Sequence, residues 1–292
     1  MDLNEAQICA DFDRLSEDGA VVFNKNYRTI TSSDNGFQFE FRILSGLAHK
    51  PGASAEQTPS PPLNSRCRPG SDIDVSGTEI TDVGSTHLLA FNMFPAARPH
   101  FLLVTQDGFR RQHEELDRDD MTALWQVMSS FKQKRYLAIF NCGINAGCSR
   151  LHKHMQLFPA PAPDDFALWP DRDDDSARSA LPFQCFVHRF QNGFPSVDTL
   201  TAIYQTLLRQ AENAVGCPAK KEREAIPHNV VLDRKWIMVT PRRTAGLNGA
   251  GANAAAMLGM VWVANEEMLN LWTELGPANV LAHVGIPAGV SY

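Results

Sequence analysis

Residues 139–159 read IFNCGINAGCSRLHKHMQLFP and carry the most informative pattern in the chain. Its last part predicts a strand on which His152, His154 and Gln156 are two residues apart and therefore project from the same face. The loop before the strand carries Gly143 and Gly147, and glycine tolerates the positive φ that turns backbone amides toward an anion. An anion site beside a row of imidazoles is typical of phosphoryl or nucleotidyl transfer, because a neutral imidazole can attack phosphorus.

Two other interpretations of the paired histidines stay open at this point. His152 and His154 can be half-buried residues of an ordinary sheet. They can also be zinc ligands, because an HxH pair places two nitrogens suitably for one metal ion. A structural zinc site needs four ligands, however, and neither Cys nor Asp lies at a supporting spacing nearby. Gln156 is a poor zinc ligand, so we assign no metal ligand in this stretch.

The segments around this stretch predict further strands and helices. Phe37, Phe39 and Phe41 alternate with polar residues, which is the pattern of a half-buried strand. Apolar residues at helical spacing predict a helix over residues 117–134, with Asp117 as its N-cap. The other predicted strands span residues 21–31, 36–44, 87–94, 100–105, 136–141, 151–158, 183–190, 229–232 and 236–240. One other predicted helix lies at the N-terminus and ends near residue 15. Two more span residues 197–215 and 257–275.

Antiparallel hairpins with interspersed helices predict an α+β fold: one large domain with a mostly antiparallel sheet flanked by helices. Residues 51–83 are rich in Pro, Ser, Gly and Asp, which predicts a long mobile loop. We therefore divide the chain into an N-terminal helix and strands at 1–50, the loop at 51–83, a core at 84–160 and a C-terminal part at 161–292.

The composition excludes several classes of protein. A chain of 292 residues can bury most of its surface without disulfide bonds. Its formal net charge of -6 argues against a general nucleic-acid binder or a binder of anionic membranes. The apolar run at 254–264 is too short to span a bilayer, and the acidic N-terminus does not resemble a secretory leader. We expect reduced cysteines and a cytosolic location, with the nucleus as an alternative.

HKHMQ at residues 152–156, preceded by FNCGINAGCSR, resembles the signature of the fungal diadenosine tetraphosphate phosphorylases, or ATP adenylyltransferases. They are a branch of the histidine triad (HIT) superfamily in which glutamine replaces the last histidine. Four further blocks occur in family order: residues 41–51 (FRILSGLAHKP), 87–109, 228–243 (HNVVLDRKWIMVTPRR) and 253–263. The resemblance covers most of the chain outside the loop at 51–83, and it implies a HIT-like α+β fold.

The resemblance also implies an activity: phosphorolysis of dinucleoside polyphosphates, such as diadenosine tetraphosphate (Ap4A), through a covalent nucleotidyl-histidine. His154 would be the nucleophile, Gln156 would hold the α-phosphate oxygens, and His152 would orient the ring or assist the leaving phosphate. The implied substrate-binding residues are Lys50, Thr86, His87, Asn141, Gly147, Cys148, Ser149, Arg150, Asn253, Ala254, Ala255 and Met260. The family further implies a divalent cation, usually Mg²⁺, and nucleotide and inorganic phosphate as partners. We expect the protein to be a monomer or a weak homodimer.

The chain departs from the family pattern around the implied substrate site. The departures are Ala146 for serine, Cys148 for a smaller residue, Arg150 for glutamine, Ala254 for serine, Ala256 for glycine and Ala264 for lysine. The nucleophile strand is unchanged, so these departures act on substrate recognition. Three alternatives therefore stay open: hydrolysis of a nucleoside phosphoramidate or adenylyl sulfate, a reaction of specialised metabolism, and nucleotide binding without turnover.

Overall fold

The computed structural model describes residues 3–49, 68–172, 179–216 and 225–289. The strands are β1 (Arg28–Asp34), β2 (Phe37–Ile43), β3 (Glu79–Val83), β4 (His87–Phe91), β5 (Phe101–Thr105), β6 (Tyr136–Cys142), β7 (His154–Pro159), β8 (Phe186–Arg189), β9 (His228–Leu232), β10 (Trp236–Pro241), β11 (Gly246–Leu247), β12 (Ala250–Gly251) and β13 (Met260–Val263). The helices are α1 (Glu5–Glu17), α2 (Arg118–Ser130), α3 (Val197–Ala214), α4 (Glu266–Leu275) and α5 (Pro277–Val284).

An antiparallel sheet of eight strands forms the centre of the fold, in the order β3-β4-β5-β7-β6-β9-β10-β8. Strand β7, which follows the glycine-containing loop, lies inside this sheet between β5 and β6. A second sheet has the order β1-β2-β13, and in it β13 runs parallel to β2. Strands β11 and β12 form a short hairpin. The predicted α+β class with a mostly antiparallel sheet is confirmed.

Helices α2 and α3 pack on one face of the large sheet. The side chain of Asp117 accepts hydrogen bonds from the amides of Asp119 and Asp120 and so caps α2. The carboxylate of Asp120 in turn accepts from the amide of Asp117, which completes a capping box. The apolar side of α2, including Met121, then joins Met155 of β7 in one hydrophobic cluster. This face of β7 therefore belongs to the core.

The opposite face of the large sheet carries two separate apolar clusters. Over β6 and β9, residues such as Ile139 pack with the second sheet and with α4 and α5. Over β4 and β5, a smaller cluster includes Leu102 and Val104 together with Ile73. Strand β7 lies between these two regions in the sheet order. The polar residues of β7 on this face therefore lie at the boundary between two apolar layers.

The structure differs from the prediction of one helix over residues 257–275. Gly259 has a φ of +88°, and a Cβ there would lie 2.2 Å from the carbonyl oxygen of Gln38. The chain then forms β13, which pairs with β2, and α4 begins only after the N-cap residue Asn265. The prediction was wrong because an apolar run does not distinguish a buried strand from a helix.

The predicted loop at 51–83 also changes. Residues 51–67 lie outside the described part of the chain, but residues 79–83 form the edge strand β3, which pairs with β4. The first strand of the second sheet spans 28–34 and not the predicted 21–31. Among the described residues, no helix has the length and apolar character needed to cross a membrane.

Candidate active site

Strands β6 and β7 separate at the point where the site begins. Their ladder ends at the pair of Ile139 and Gln156, and β6 continues with β9 instead. The side chain of Gln112 bridges the gap: its Oε1 accepts from the His154 amide at 2.8 Å. Its Nε2 donates to the carbonyl oxygens of His154 and Asn141 at 3.0 and 3.1 Å. A side chain thus replaces the missing backbone partner of His154.

The His154 ring is held in one tautomer. Its Nδ1 lies 2.8 Å from the carbonyl oxygen of His152, and a carbonyl only accepts, so Nδ1 carries a proton. In the neutral ring the lone pair is then on Nε2. The side chain is 4% exposed and lies on the same face of β7 as Gln156. His154 therefore presents Nε2 as the nucleophilic atom.

The His152 ring is bonded elsewhere. Its Nδ1 lies 2.7 Å from Oγ of Ser71, and its Nε2 lies 2.8 Å from Oγ1 of Thr105 and 3.1 Å from the carbonyl oxygen of Asp107. Burial lowers the pKa of His152, so the ring is neutral at pH 7. Because β7 begins only at His154, the predicted common face does not extend to His152. The backbone carbonyl of His152 orients His154, and its ring is not placed to assist a leaving phosphate.

Residues of the predicted loop anchor the start of β7. Asp72 accepts from the amides of Leu151 and His152 at 2.7 and 2.9 Å. Together with the bond from Ser71 to the His152 ring, these contacts hold the carbonyl that orients His154. No periodic pattern in the sequence marks residues 71 and 72, and Ser and Asp are ordinary residues of a loop.

A buried histidine holds the carboxamide oxygen of Gln156. Its Oε1 lies 3.1 Å from Nε2 of His100. Within the described residues nothing accepts from the amide nitrogen of Gln156, and this atom is not among their buried unpaired atoms. It is therefore open to solvent and available as a donor. The predicted role of Gln156 in holding phosphate oxygens requires this orientation.

A second carboxamide, that of Asn141, is oriented in the same way from the other side. Its Oδ1 accepts from Nδ2 of Asn229 at 2.9 Å and from the amide of Ala254 at 2.8 Å. Nδ2 of Asn229 also donates to the carbonyl oxygen of Ala146, and Oδ1 of Asn229 accepts from Arg242 at 2.5 Å. The Nδ2 group of Asn141 has no acceptor in the part of the chain that is described. It is thus a second donor open to solvent.

Arg242 is the cation behind this arrangement. Its guanidinium is 2% exposed and donates to four backbone carbonyls as well as to Asn229. Burial lowers its pKa to about 9, so it stays charged at neutral pH. No carboxylate of the described residues forms an ion pair with it. The positive charge therefore polarises Asn229 and, through it, the amide of Asn141.

Together these contacts place two amide donors around the nucleophile. Asn141 lies opposite His154 when the register of β6 and β7 is extended by two residues, and Gln156 follows His154 on the same face. Neutral donors with their oxygens already bonded can stabilise charge on phosphate oxygens without reorganisation. The arrangement suits attack of His154 Nε2 on a phosphorus atom.

The two glycine amides of the loop before β7 do not point toward an anion as predicted. The amides of Gly143, Ala146 and Gly147 are bonded to carbonyls at 3.0, 3.0 and 2.8 Å. Gly147 has a φ of +85°, and a Cβ there would lie 2.3 Å from the carbonyl oxygen of Ala252. Glycine at 147 is therefore required by close packing. The amide donors of this site come from side chains instead.

The end of the loop places three further predicted residues close to the start of β7. Cys148 is buried, and burial raises its pKa to about 11, so the thiol is neutral. Ser149 and Arg150 are half-buried, and an Arg150 guanidinium nitrogen donates to the Ser149 carbonyl oxygen at 3.0 Å. Arg150 is the cation that this loop contributes next to the nucleophile strand.

The predicted C-terminal contacts divide into two groups. Asn253 caps the turn after it, because its Oδ1 accepts from the amides of Ala255 and Ala256 at 3.0 and 3.2 Å. Ala254 contacts the site because its backbone amide donates a hydrogen bond to Oδ1 of Asn141. Met260, by contrast, is fully buried in the hydrophobic cluster under the second sheet. The structure does not bring Met260 to the site.

His87 does not lie with the other predicted residues. It points to the helical face, where Nε2 lies 3.0 Å from Asp120, and Nδ1 lies 2.9 Å from Thr86. Lys153 donates to the same carboxylate at 2.6 Å. Burial raises the pKa of Asp120, but the bond to His87 and the charge of Lys153 outweigh it, and the pKa lies below its usual range. Lys50 lies outside the described residues.

The described residues contain no group of three or more His, Cys, Asp or Glu side chains arranged for a metal ion. The donors around His154 are amides, and Mg²⁺ prefers carboxylates and phosphate oxygens. These residues do not fit a protein-held Mg²⁺, so we derive no step through it.

The fold and the site together define an α+β protein whose large antiparallel sheet presents a histidine with a bonded Nδ1, followed by an oriented glutamine. Residues 12–170 match the Ap4A phosphorylase N-terminal domain, and residues 179–287 match the ATP adenylyltransferase C-terminal domain. The chain belongs to the Ap4A phosphorylase family, as the HKHMQ motif predicted.

Relatives from yeast agree with this assignment. Diadenosine 5',5'''-P1,P4-tetraphosphate phosphorylase 2 of Saccharomyces cerevisiae is 27% identical over 264 residues, which cover 81% of this chain and 79% of that protein. Protein APA1 of the same yeast is 26% identical over 208 residues, or 64% of each chain. The crystal structure of yeast Ap4A phosphorylase Apa2 has a TM-score of 0.76 at 22% identity over 98% of both chains. Its complex with Ap4A gives 0.74 at 23% identity, over 98% of this chain and 99% of that chain.

Proposed function

We propose that this protein is a nucleotidyltransferase that cleaves dinucleoside polyphosphates, Ap4A in particular, by phosphorolysis. One observation carries the proposal: the Nδ1 proton of His154 is bonded to a carbonyl, which leaves the lone pair on Nε2, on the face that also holds two oriented amide donors. The names of the yeast relatives supply the substrate.

The first step forms a covalent intermediate. Nε2 of His154 attacks an α-phosphorus of Ap4A, and the bond from that phosphorus to the bridging oxygen breaks. The electron pair leaves with the oxygen as ATP, and adenylate stays on Nε2. The ring then carries positive charge, which the carbonyl of His152 stabilises through the Nδ1 hydrogen bond. The amides of Gln156 and Asn141 donate to the equatorial oxygens.

The second step releases the nucleotide. An oxygen of inorganic phosphate attacks the same phosphorus, the bond from phosphorus to Nε2 breaks, and ADP leaves. The nitrogen recovers its lone pair without a proton transfer, because Nδ1 keeps its proton throughout. Ap4A and phosphate thus give ATP and ADP. In our proposal a Mg²⁺ ion enters with the polyphosphate, since phosphate oxygens are its preferred ligands.

The test is turnover of a substrate panel with and without phosphate, by the wild type, His154→Ala and His188→Ala. His188 is an exposed histidine on the edge strand β8 and is the matched control. Phosphate-dependent formation of ATP and ADP is expected from the wild type and the control only. An alkaline quench should trap adenylate on His154, since phosphoramidates survive base. Full turnover by His154→Ala would contradict the proposal, and phosphate-independent cleavage would indicate a hydrolase.

We also propose a cellular compartment, the binding partners and an assembly state. Cys9, Cys142, Cys148 and Cys185 are free thiols, which supports a reducing compartment such as the cytosol. Nucleotides and phosphate are the proposed partners, and the proposed active unit is a monomer or a weak homodimer. Size-exclusion chromatography with light scattering at two concentrations tests the last point.

A further inference from the structure

We propose that His100 is a positioning residue for the transfer reaction, because it decides which end of the Gln156 carboxamide faces the substrate phosphate. This inference rests on the proposed function. His100 is 1% exposed and so does not itself meet substrate, and its effect passes through Gln156.

The hydrogen bonds of His100 determine its tautomer. The amide of Ala96 lies 3.0 Å from Nδ1, and a backbone N–H only donates, so Nδ1 must be an unprotonated acceptor. The neutral ring then carries its proton on Nε2. This atom lies 3.1 Å from Oε1 of Gln156 and 3.5 Å from Nδ2 of Asn92. Two donors do not bond each other, so the Nε2 proton goes to Gln156.

This proton distinguishes two orientations of the Gln156 side chain that are otherwise almost equal in shape. With Oε1 on His100, the amide nitrogen of Gln156 faces the site and donates. In the reversed orientation two donors would meet at His100, and Oε1 would face the anionic phosphate oxygens. A ring whose tautomer is fixed by the backbone therefore selects the donating orientation before substrate arrives.

Packing prevents the ring from turning away. The His100 ring meets Phe158 edge-to-face with centroids 5.4 Å apart, and it meets Trp262 in the same manner at 5.7 Å. Phe158 belongs to β7 and Trp262 to β13, so each sheet supplies one wall. A phenylalanine at position 100 would keep these ring contacts and lose the hydrogen bonds to Ala96 and Gln156.

Two substitutions at position 100 distinguish a positioning role of His100 from a purely structural role. In His100→Asn, the side-chain oxygen can replace Nδ1 and accept from Ala96, but the amide is too short to reach Gln156. In His100→Gln, the longer side chain places an amide where Nε2 was and can donate to Gln156. A merely structural role predicts that the asparagine variant is at least as active as the glutamine variant. The positioning role predicts the reverse.

The experiment measures kcat and KM for Ap4A phosphorolysis in the full chain for His100→Phe, His100→Asn and His100→Gln, each also combined with Gln156→Ala. We expect His100→Phe and His100→Asn to lower kcat by on the order of 10²-fold, the effect of losing one preorganised donor. His100→Gln should recover most of the rate. In the Gln156→Ala background, all three should have little further effect.

Each outcome decides something. Additive losses in the double variants, or equal rates for the asparagine and glutamine variants, would overturn the positioning role. Thermal unfolding of every variant identifies any that fails to fold, and the remaining pairs still complete the cycle. If the wild type itself does not form ATP and ADP from Ap4A and phosphate, the proposed function fails. If it does and His100→Phe keeps its kcat, only the role of His100 fails.

Discussion

Replacing Asn229 by aspartate is expected to abolish most activity while leaving the protein folded. Asn229 donates to Asn141 at 2.9 Å and to the Ala146 carbonyl at 2.8 Å, and it accepts from Arg242. Aspartate keeps the acceptor toward Arg242, but its other oxygen then faces two acceptors. The repulsion between the aspartate oxygen and Oδ1 of Asn141 is relieved only if the carboxamide of Asn141 flips. Its oxygen, no longer its NH2 group, would then face a phosphate bound at His154.

The contacts that change allow estimates of the effect on the free energy of unfolding and of the effect on kcat. The turned Asn141 can no longer accept from the amide of Ala254, and a buried unpaired amide costs about 1–3 kcal/mol. A charge-assisted bond between Arg242 and Asp offsets about 1.5–3 kcal/mol, so the free energy of unfolding should change by less than about 2 kcal/mol. Loss of one preorganised donor should lower kcat by about 10²–10³-fold.

The assay follows ATP formation from Ap4A and phosphate, with urea unfolding of the same samples. Asn145→Asp is the matched control, because Asn145 is an exposed residue of the loop before β7, and its substitution should leave both quantities unchanged. If Asn229→Asp is folded and its kcat lies within about threefold of the wild type, Asn229 does not orient Asn141 and the two-donor description of the site is wrong.

Three further predictions concern the framework of the site. Gly147→Ala should lower the free energy of unfolding by about 2–4 kcal/mol, because positive φ and contact with a backbone carbonyl both oppose a Cβ. Gly84→Ala, at a φ of +61° with no atom within 4 Å, should cost only about 1–2 kcal/mol, and equal losses in urea titrations would contradict the packing argument. Asp120→Asn leaves the buried charge of Lys153 unpaired and should cost about 3–5 kcal/mol at pH 7. Because the pKa of Asp120 lies below its usual 3.8, its stabilisation is present above that pH and lost as the pH falls further; urea midpoints between pH 7 and 2 should therefore fall more steeply in the wild type than in the variant. Asp72→Ala should lower kcat about tenfold with little change in KM, because the carbonyl that orients the nucleophile loses its anchor; an unchanged kcat in steady-state assays would argue that this carbonyl is held by other contacts.

Much of the fold could be predicted from local patterns. Capped apolar repeats in α2 and α3 reflect burial on one side, and burial has the same period as the helix. The alternation in β2 predicted a strand correctly, but its polar residues Glu40 and Arg42 are also buried, as an ion pair. The proposed nucleophile was identified in the same way, since His154 and Gln156 lie on one face of β7. Family resemblance then added Asn141, whose position beside His154 depends on a neighbouring strand.

The remainder depends on contacts between distant parts of the chain. Gln112, His100 and Asp72 act on β7 from loops or from other strands, and no spacing in their own segments marks them. Asn229 and Arg242 lie in the block at 228–243. Their polar side chains, in or next to otherwise apolar strands, are the sequence signal that marks them. The nest prediction at Gly147 was wrong because a positive φ is equally compatible with close packing.

The parallel pairing of β13 with β2 has a consequence for how the chain acquires its fold. β13 comes from the part that matches the C-terminal domain, and β2 from the part that matches the N-terminal domain. The eight-stranded sheet is divided in the same manner, since β8, β9 and β10 extend the strands of the first part. Separate fragments ending at residue 170 and starting at 179 would each expose unpaired strand edges and should aggregate alone. Mixed during refolding, they should complement each other, because the two matched sequence domains form one cooperative unit.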